Sequence, residues 1–279
     1  MGVEIIQGDN LEVLARLPDA SFDLVYIDPP FNSGRRQKHV RVKATHDPAG
    51  AHVGFHGRRY TRVQLGTLSF ADTFDDYLAF LEPRLREAHR LLTPTGSFFL
   101  HLDYREVHYA KVLCDSIFGR AAFINEIVWA YDYGARTKRR WSPKHDNLLW
   151  YARNPRAYTF DYDAIDRIPY MAPSLVGAAK AARGKTPTDT WWNTIVAPGG
   201  KERTGYPTQK PLAILDRIVR VHSKEGDRLL DFFAGSGTFG EAAARNGRDV
   251  VLVDVSAAAV DVMRRRLAPW LGDTAATGK

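Results

Sequence analysis

Hydrophobic and polar residues alternate along this chain in a pattern that predicts short strands separated by helices. Near the N-terminal end, VEIIQ (3–7) predicts a strand, NLEVLARLP (10–18) a helix and FDLVYIDPP (22–30) a second strand. The second strand contains a continuous apolar run, which is typical of a parallel strand covered on both faces. This part of the chain therefore predicts the strand–helix–strand unit of an α/β protein.

The segment 33–69 departs from this pattern. It loses hydrophobic periodicity and gathers glycine, histidine and basic residues, so we expect a long surface loop. A helix is predicted next, over about 75–92, with Pro83 kinking or dividing it. The elements expected after it are a strand at GSFFLHLD (96–103), a helix ending near Gly119 and a strand at FINEIVWAY (123–131).

The middle of the chain, from about 132 to 204, is rich in aromatic, basic and turn-forming residues with weak periodicity. We expect an inserted region over 133–200, although LLWY (148–151) inside it resembles a core strand. The α/β pattern then returns, with helices predicted at 211–223, 240–247 and 257–267 and strands at 228–233 and 250–255. We therefore predict one open, mostly parallel sheet assembled from residues 1–132 and 201–279.

Composition narrows the class of protein. The chain has 279 residues, 44% of them hydrophobic, and a formal net charge of +7. The charge favours a polyanionic partner, most simply nucleic acid, and a merely basic enzyme is the alternative. Cys114 is the single cysteine, which excludes an intramolecular disulfide and a thiolate zinc site. No signal peptide or membrane-spanning run is recognisable, so we expect a cytoplasmic protein that makes no membrane contact.

A glycine-rich turn follows the predicted strand at 228–233. Gly235, Gly237 and Gly240 have the spacing G-x-G-x-x-G between a strand and a helix, and the next strand ends near Asp254. Such glycines let a ligand approach the backbone, and the acid can accept hydrogen bonds from ribose hydroxyls. An ordinary strand-to-helix turn is the alternative. Because no Gly-Lys-Ser/Thr follows, an ATP-binding P-loop is excluded, which leaves a dinucleotide or S-adenosylmethionine.

A second candidate site lies at DPPF, where the strand 22–30 ends. Pro29 and Pro30 lack backbone donors and fix φ, so they form a stiff exit that carries a carboxylate, Asp28, and a ring, Phe31. The simpler interpretation is that Asp28 begins a turn and Phe31 fills the core.

The two motifs together resemble those of amino-directed DNA methyltransferases. FAGSG (233–237) resembles their F-x-G-x-G cofactor motif, and DPPF (28–31) their (D/N/S)-P-P-(Y/F/W) catalytic motif. YPTQKP (206–211) resembles the segment before the glycine turn in the β group, whose motif order is circularly permuted as it is here. The resemblance covers most of the chain apart from 35–67 and about 155–190. It implies a Rossmann-like S-adenosylmethionine-dependent methyltransferase fold, with a mostly parallel seven-stranded sheet and helices on both faces.

The resemblance also implies a cofactor site for S-adenosylmethionine. Asp9 would face the adenine amino group, Asp254 the ribose, and Lys210 with its two predecessors the carboxylate of the cofactor. Asp254 is a slight departure, since many relatives carry Glu there, but either acid can bond a ribose diol. The residues implied to contact the cofactor are Asp9, Asp28, Thr208, Gln209, Lys210, Asp231, Phe233, Ala234, Gly235, Ser236, Gly237, Thr238 and Asp254.

The implied catalytic residues are Asp28, Pro29, Pro30 and Phe31. An exocyclic amine is a poor nucleophile because its lone pair is delocalised into the base. The Asp28 carboxylate and the Pro29 carbonyl are suited to accept its N–H groups and free that lone pair. Phe31 would stack on a base that has left the duplex.

Two basic clusters are candidate DNA contacts, and the middle region 133–200 is the candidate for target recognition. The candidate residues are Arg35, Arg36, Lys38, Arg58, Arg59, Arg136, Lys138, Arg139 and Arg140. A solvated flexible loop is the alternative for the first cluster. Four histidines share that loop (His39, His46, His52 and His56), but without a carboxylate-rich cluster we expect no metal site.

We therefore expect site-specific methylation of adenine N6 in double-stranded DNA. Asp at position 28 favours adenine, and cytosine N4 is the alternative because relatives acting there more often carry Ser. A structured-RNA methyltransferase is disfavoured, because the sequence shows no appended RNA-binding module. An NAD-dependent oxidoreductase leaves DPPF and YPTQKP unexplained, and a non-catalytic DNA-binding module leaves Asp28 and the glycine motif unexplained. A homodimer and a cognate restriction endonuclease are open possibilities for partners.

Overall fold

The apolar runs of the chain form the strands of two sheets in the computed structural model, which describes residues 2–53, 59–134, 136–197 and 199–272. The strands are β1 (Val3–Gln7), β2 (Phe22–Ile27), β3 (Arg35–His46), β4 (His52–Val53), β5 (Arg59–Asp72), β6 (Leu92–Leu102), β7 (Phe123–Ala130), β8 (His145–Ala152), β9 (Thr190–Trp192), β10 (Arg228–Asp231) and β11 (Asp249–Asp254). The helices are α1 (Asn10–Leu14), α2 (Tyr77–Leu91), α3 (Val107–Phe118), α4 (Ala178–Arg183), α5 (Leu212–His222), α6 (Thr238–Arg245) and α7 (Ala257–Leu267).

The larger sheet has the strand order β1-β11-β10-β2-β6-β8-β7-β9. Neighbouring strands are parallel except for the two pairs that β8 makes with β6 and β7. The two ends of the chain meet where β10 pairs with β2 and β1 with β11. The prediction of one mostly parallel sheet is therefore confirmed.

The described part of this sheet contains eight strands where seven were expected, because the short strand β9 pairs with β7. Both β8 and β9 lie inside 133–200, so this region is not a continuous insertion. The apolar run of β8 is the physical reason, since Leu148 and Tyr151 are fully buried, one in the apolar layer on each face of the sheet. The described residues of this region that lie outside the sheet are 133–134, 136–144, 153–189, 193–197 and 199–200.

The prediction of a long surface loop at 33–69 is wrong. This segment contributes to a separate antiparallel sheet of order β3-β5-β4, in which Arg35 lies opposite Asp72 and His46 opposite Tyr60. The sequence HVRVKATH (39–46) alternates apolar and polar residues with the period of two that strands require. Its high content of basic residues and histidine obscured that period.

The core consists of two apolar layers, one on each face of the larger sheet. Val25 and Ile27 of β2 pack in the same cluster as α2 and α3, whereas Leu24 and Tyr26 pack in the cluster of α5, α6 and α7. This follows from the alternation of side chains along a strand. Pro83 lies inside α2 without dividing it, because the buried side chains on both sides of it keep the helix on the sheet. No helix in the described ranges combines the length and apolar character needed to cross a membrane.

The order of the strands places a crevice at the centre of the sheet. From β10 the chain passes through α6 to β11, toward one edge, whereas from β2 it passes through α2 to β6, toward the other. Doubly wound sheets bind ligands outside the carboxyl ends of strands at such a switch point. The two motifs singled out in the sequence follow β10 and β2.

Candidate active site

A cavity of about 360 Å³ opens at this switch point. Four strands of the sheet end in or just before an acid that lines it: Asp9 after β1, Asp28 after β2, Asp231 at the end of β10 and Asp254 at the end of β11. Its volume lies in the range of sites for small molecules and cofactors. Of the predicted site residues, the catalytic four and all the cofactor candidates except Gly237 line this cavity.

The glycine turn brings backbone close to the cavity. Gly235 (φ +49°) and Gly237 (φ +72°) have left-handed backbone conformations. The Gly235 N–H donates to Asp254 Oδ2 at 2.9 Å, and Gly237 begins α6 as its N-cap. A Cβ atom on Gly237 would lie 2.9 Å from Cγ of Met263, so the close packing of α6 and α7 also requires glycine here.

The acids at the end of β10 and β11 make the cavity electronegative. Burial raises the pKa of Asp231 well above its usual value, and the charges of Asp28 and Asp254 add to this. Burial also raises the pKa of Asp254, although it accepts hydrogen bonds from the Ser256 and Gly235 N–H groups. Buried acids of this kind favour a cationic ligand, because a positive charge would relieve their desolvation and mutual repulsion.

The ammonium of Lys210 lies against the Asp28 carboxylate. Its Nζ donates to Oδ1 at 2.7 Å and to Oδ2 at 2.6 Å, and it lies 4.7 Å from the centre of the Phe31 ring. Only 9% of the Lys210 side chain and 19% of the Asp28 side chain are exposed. The catalytic motif therefore contacts the YPTQKP segment directly, a pairing that the sequence analysis did not predict.

The two residues before Lys210 hydrogen bond within their own segment. Gln209 Oε1 accepts from the backbone N–H and the hydroxyl of Thr204, both at 2.8 Å, and its Nε2 donates to the Glu202 carbonyl at 2.8 Å. Thr208 has φ +57°, and its hydroxyl donates to the Pro207 carbonyl. These contacts hold the backbone that carries Lys210, and the expected contacts with a cofactor carboxylate stay a prediction.

A buried polar pair in the wall of the cavity was missed in the sequence. Arg84 Nε donates to Asn10 Oδ1 at 2.9 Å, and Asn10 Nδ2 donates to the Phe232 carbonyl at 3.1 Å. The Arg84 guanidinium also bonds the Phe80 carbonyl at 2.7 Å and lies 3.9 Å from the Phe80 ring centre. The pair joins α1 and α2 to the glycine turn. In the sequence, the available signal for this pair was Arg84, a cation among the apolar positions of α2.

A second buried chain of polar groups lies behind Phe31. Tyr26 and His101 Nδ1 share a hydrogen bond of 2.7 Å, His101 Nε2 lies 3.3 Å from Asp146 Oδ2, and the Tyr131 hydroxyl donates to Asp146 at 3.1 Å. The His101 ring is fully buried, with its centre 5.9 Å from that of Phe31. Burial opposes ionisation of Asp146, but the hydrogen bond and charge of His101 lower its pKa. This series of hydrogen-bonded side chains fixes the surroundings of the Phe31 ring.

The candidate DNA contacts whose side chains are described lie on β5 and between β7 and β8. Arg59 donates to the Gly50 carbonyl at 3.4 Å, and its side chain is exposed. Arg136, Lys138, Arg139 and Arg140 are exposed between β7 and β8, with Arg136 paired to Asp132 and Arg140 bonded to the Tyr104 hydroxyl at 3.5 Å. The side chains of Arg35, Arg36 and Lys38, and the whole of Arg58, lie outside the described residues.

Fold and cavity together define a doubly wound α/β protein with a site for a nucleoside-containing cofactor. The sequence of residues 22–265 matches the DNA methylase family of N6 and N4 methyltransferases, and the chain belongs to that family. S-Adenosylmethionine is accordingly its cofactor, and DNA is its substrate. The acidic cavity and its glycine turn fit this cofactor, because its sulfonium and ammonium carry two positive charges and its carboxylate only one negative charge.

Proteins similar to this chain include ones whose names give different target bases. The chain is 29% identical to the Type II methyltransferase M.ScaI of Streptomyces caespitosus, over 95% of this chain and 81% of that protein. It is 28% identical to the DNA adenine methyltransferase YhdJ of Escherichia coli (strain K12), over 94% and 82% respectively. The solved structure of the cytosine-N4-specific PvuII DNA methyltransferase superposes with a TM-score of 0.64 at 16% identity, over 95% of this chain and 86% of that one. This last similarity shows a shared fold.

Proposed function

We propose that this DNA methylase transfers the methyl group of S-adenosylmethionine to the N6 amine of adenine at specific sites in duplex DNA. The observation that carries the proposal is the single cavity that joins Asp28, Pro29 and Phe31 to the glycine turn across the switch point. Asp at position 28 supports adenine, as does the name of the relative YhdJ.

The stiff exit of β2 accounts for the chemistry on the amine. Asp28 and the Pro29 carbonyl follow a strand in which every residue except Asp23 is buried, so their acceptor atoms are held in place before the base enters. They accept the two N–H groups and direct the nitrogen lone pair out of the plane of the base. Bound S-adenosylmethionine supplies a methyl group with a thioether leaving group, and Asp28 is placed to accept the proton that the methylated nitrogen releases.

We propose that the target base leaves the duplex to reach this cavity. Asp28 has only 19% of its side chain exposed, so an amine stacked inside a duplex could not approach it. Phe31 lines the same cavity and offers a face on which the extruded base stacks. Stacking of this kind is worth about 1–3 kcal/mol per base.

We propose that residues 133–200 are the target-recognition region. This region carries the exposed Arg136, Lys138, Arg139 and Arg140, and Arg59, exposed on the smaller sheet, is a further candidate contact. Phosphate contacts by these residues would appear as a steeper fall of affinity with salt. Replacement of Arg139 and Arg140 by Gln should lower the salt slope by about one for each phosphate that is no longer neutralised.

The proposed reaction is tested by incubating the chain with unmethylated DNA and S-adenosylmethionine that carries a labelled methyl group, followed by digestion and separation of the nucleosides. Labelled N6-methyladenine is expected. Labelled N4-methylcytosine would overturn the choice of base, and the absence of any labelled nucleoside would overturn the reaction. Asp28→Ala should abolish the product and leave cofactor binding in calorimetry, whereas the exposed helix variant Asp261→Ala should retain activity.

We further propose a role in restriction–modification, because the relative M.ScaI is named a Type II methyltransferase. Plasmid DNA from cells that express the chain should then resist an endonuclease with the same recognition sequence. The sequence left a homodimer open, and sedimentation velocity of the chain with and without DNA would test it.

A further inference from the structure

Lys210 bonds the same acceptor atoms of Asp28 that the proposed reaction requires for the amine of the target base. Its ammonium bonds both oxygens of Asp28, at 2.7 and 2.6 Å, so the acceptor face of this carboxylate is taken. The same ammonium lies 4.7 Å from the centre of the Phe31 ring, on which the base would stack. A base amine that approaches the same side of Asp28 must therefore displace Lys210.

The other charges of the cavity indicate where the ammonium would go. Among the described residues that line the cavity, two are cations, Lys210 and Arg84, against the acids named above. Arg84 is held by hydrogen bonds to Asn10 and to the Phe80 carbonyl. Lys210 is therefore the cation that can meet a carboxylate group on a ligand in this cavity.

The local structure separates the moving part from the fixed part. Gln209 holds the backbone before Lys210, and the backbone N–H of Leu212 donates to Glu202 Oε2 at 3.2 Å at the start of α5. The lysine ammonium, in contrast, lies at the end of a flexible four-carbon stem. A change of partner by Lys210 needs only rotations of its own side chain.

We propose that Lys210 is a latch that keeps the Asp28 carboxylate closed to the target base until the cofactor is bound. In the latched state Lys210 neutralises Asp28. In the open state its ammonium pairs with the carboxylate of the bound cofactor, and Asp28 is free to accept the amine. The inference rests on the proposed function, and it predicts an ordered reaction in which the base enters the cavity after the cofactor.

The order has a physical cause. If a base entered without cofactor, the ammonium of Lys210 would lose its partner while only 9% of its side chain reaches solvent. An unpaired charge in such a place is strongly unfavourable. When a cofactor carboxylate is present, the ammonium exchanges one anionic partner for another, so this cost disappears.

The latch is tested by base unstacking, with no methyl transfer involved. The probe is a duplex that carries the recognition sequence found by modified-base sequencing, with 2-aminopurine beside the target base, whose emission rises when its neighbour leaves the stack. Wild-type protein is mixed with it alone, with S-adenosylhomocysteine, and with decarboxylated S-adenosylhomocysteine, which lacks only the carboxylate. We expect S-adenosylhomocysteine to shift the unstacking equilibrium by about tenfold or more, and the decarboxylated ligand to shift it much less.

Lys210→Met removes the charge and keeps an unbranched side chain of similar length. This variant should unstack the base equally under all three conditions, whereas Lys210→Arg should retain the dependence on the carboxylate. Equal unstacking by wild-type protein under the three conditions would overturn the latch, and so would a Lys210→Met variant that still needs the carboxylate. If Lys210→Met fails to fold, the comparison of the two ligands in wild type and Lys210→Arg decides.

Failure of the latch and failure of the proposed function give different results. Calorimetry on the protein without DNA measures whether Lys210→Met weakens the binding of S-adenosylhomocysteine more than the binding of its decarboxylated form. This result does not depend on which base is methylated. Absence of methylated nucleosides in the labelling experiment would refute the reaction. Methylation accompanied by cofactor-independent unstacking would refute the latch alone.

Discussion

Replacement of Gly237 by alanine separates two physical demands on the glycine turn. The backbone at Gly237 has φ +72°, and a Cβ atom there would lie 2.9 Å from Cγ and 3.5 Å from Cα of Met263. The left-handed conformation costs an L-residue about 1–2 kcal/mol. The contact with α7 adds an over-packing cost of about 1–3 kcal/mol, because Cγ cannot move away without rotation of the Met263 side chain.

Gly226 is a matched control within the same chain. It has φ +83°, but a Cβ atom built on it would meet nothing within 4 Å. Gly226→Ala therefore carries the conformational cost without the contact. The gain from a less flexible unfolded chain is common to both variants and cancels in their difference.

We expect Gly237→Ala to lower the free energy of unfolding by about 1–3 kcal/mol more than Gly226→Ala does. Urea denaturation followed by circular dichroism measures both values, and calorimetry with S-adenosylhomocysteine reports whether the turn still binds. If the two variants are destabilised to within about 0.5 kcal/mol of each other, Met263 accommodates the methyl group and the packing argument is wrong.

Three further predictions concern the buried pair, the acidic cavity and the exposed aromatic surface. Asn10→Ala leaves Arg84 with a buried unpaired N–H and should lower the free energy of unfolding by about 1–3 kcal/mol in urea denaturation. Asp231 has a raised pKa, so its ionisation opposes folding, and the free energy of unfolding falls as pH rises through that pKa. Asp231→Asn should therefore raise the thermal midpoint at neutral pH. The same variant should weaken S-adenosylhomocysteine binding about tenfold or more in calorimetry. An unchanged midpoint would contradict this sign. Trp141 is 97% exposed, so Trp141→Ala should cost about 1–3 kcal/mol of DNA affinity by fluorescence anisotropy without changing the thermal midpoint. Tyr109→Ala, at a position 64% exposed on α3 and outside the proposed target-recognition region, should change neither.

Local periodicity decided which segments became strands and helices. The helix predicted at 257–267 has those bounds in the structure, and the buried strand at 22–27 precedes the proline exit as expected. The failure at β3 and β5 has the same origin, since a period of two was present at 39–46 but was masked by polar residues and histidine. For β9, three residues were too few to show any period.

By itself, the sequence determined the α/β class, the two motifs and the expectation that they serve one site. These follow from patterns within a few residues, such as apolar runs, paired prolines and glycine spacing. Only the tertiary structure decided that Lys210 contacts Asp28 across 182 positions, that Asn10 holds Arg84, and that His101 lies behind Phe31. Each of these contacts depends on which strands are neighbours and in which register, and the free energy that selects this order comes from burial of the whole sheet rather than from the residues that meet at the site.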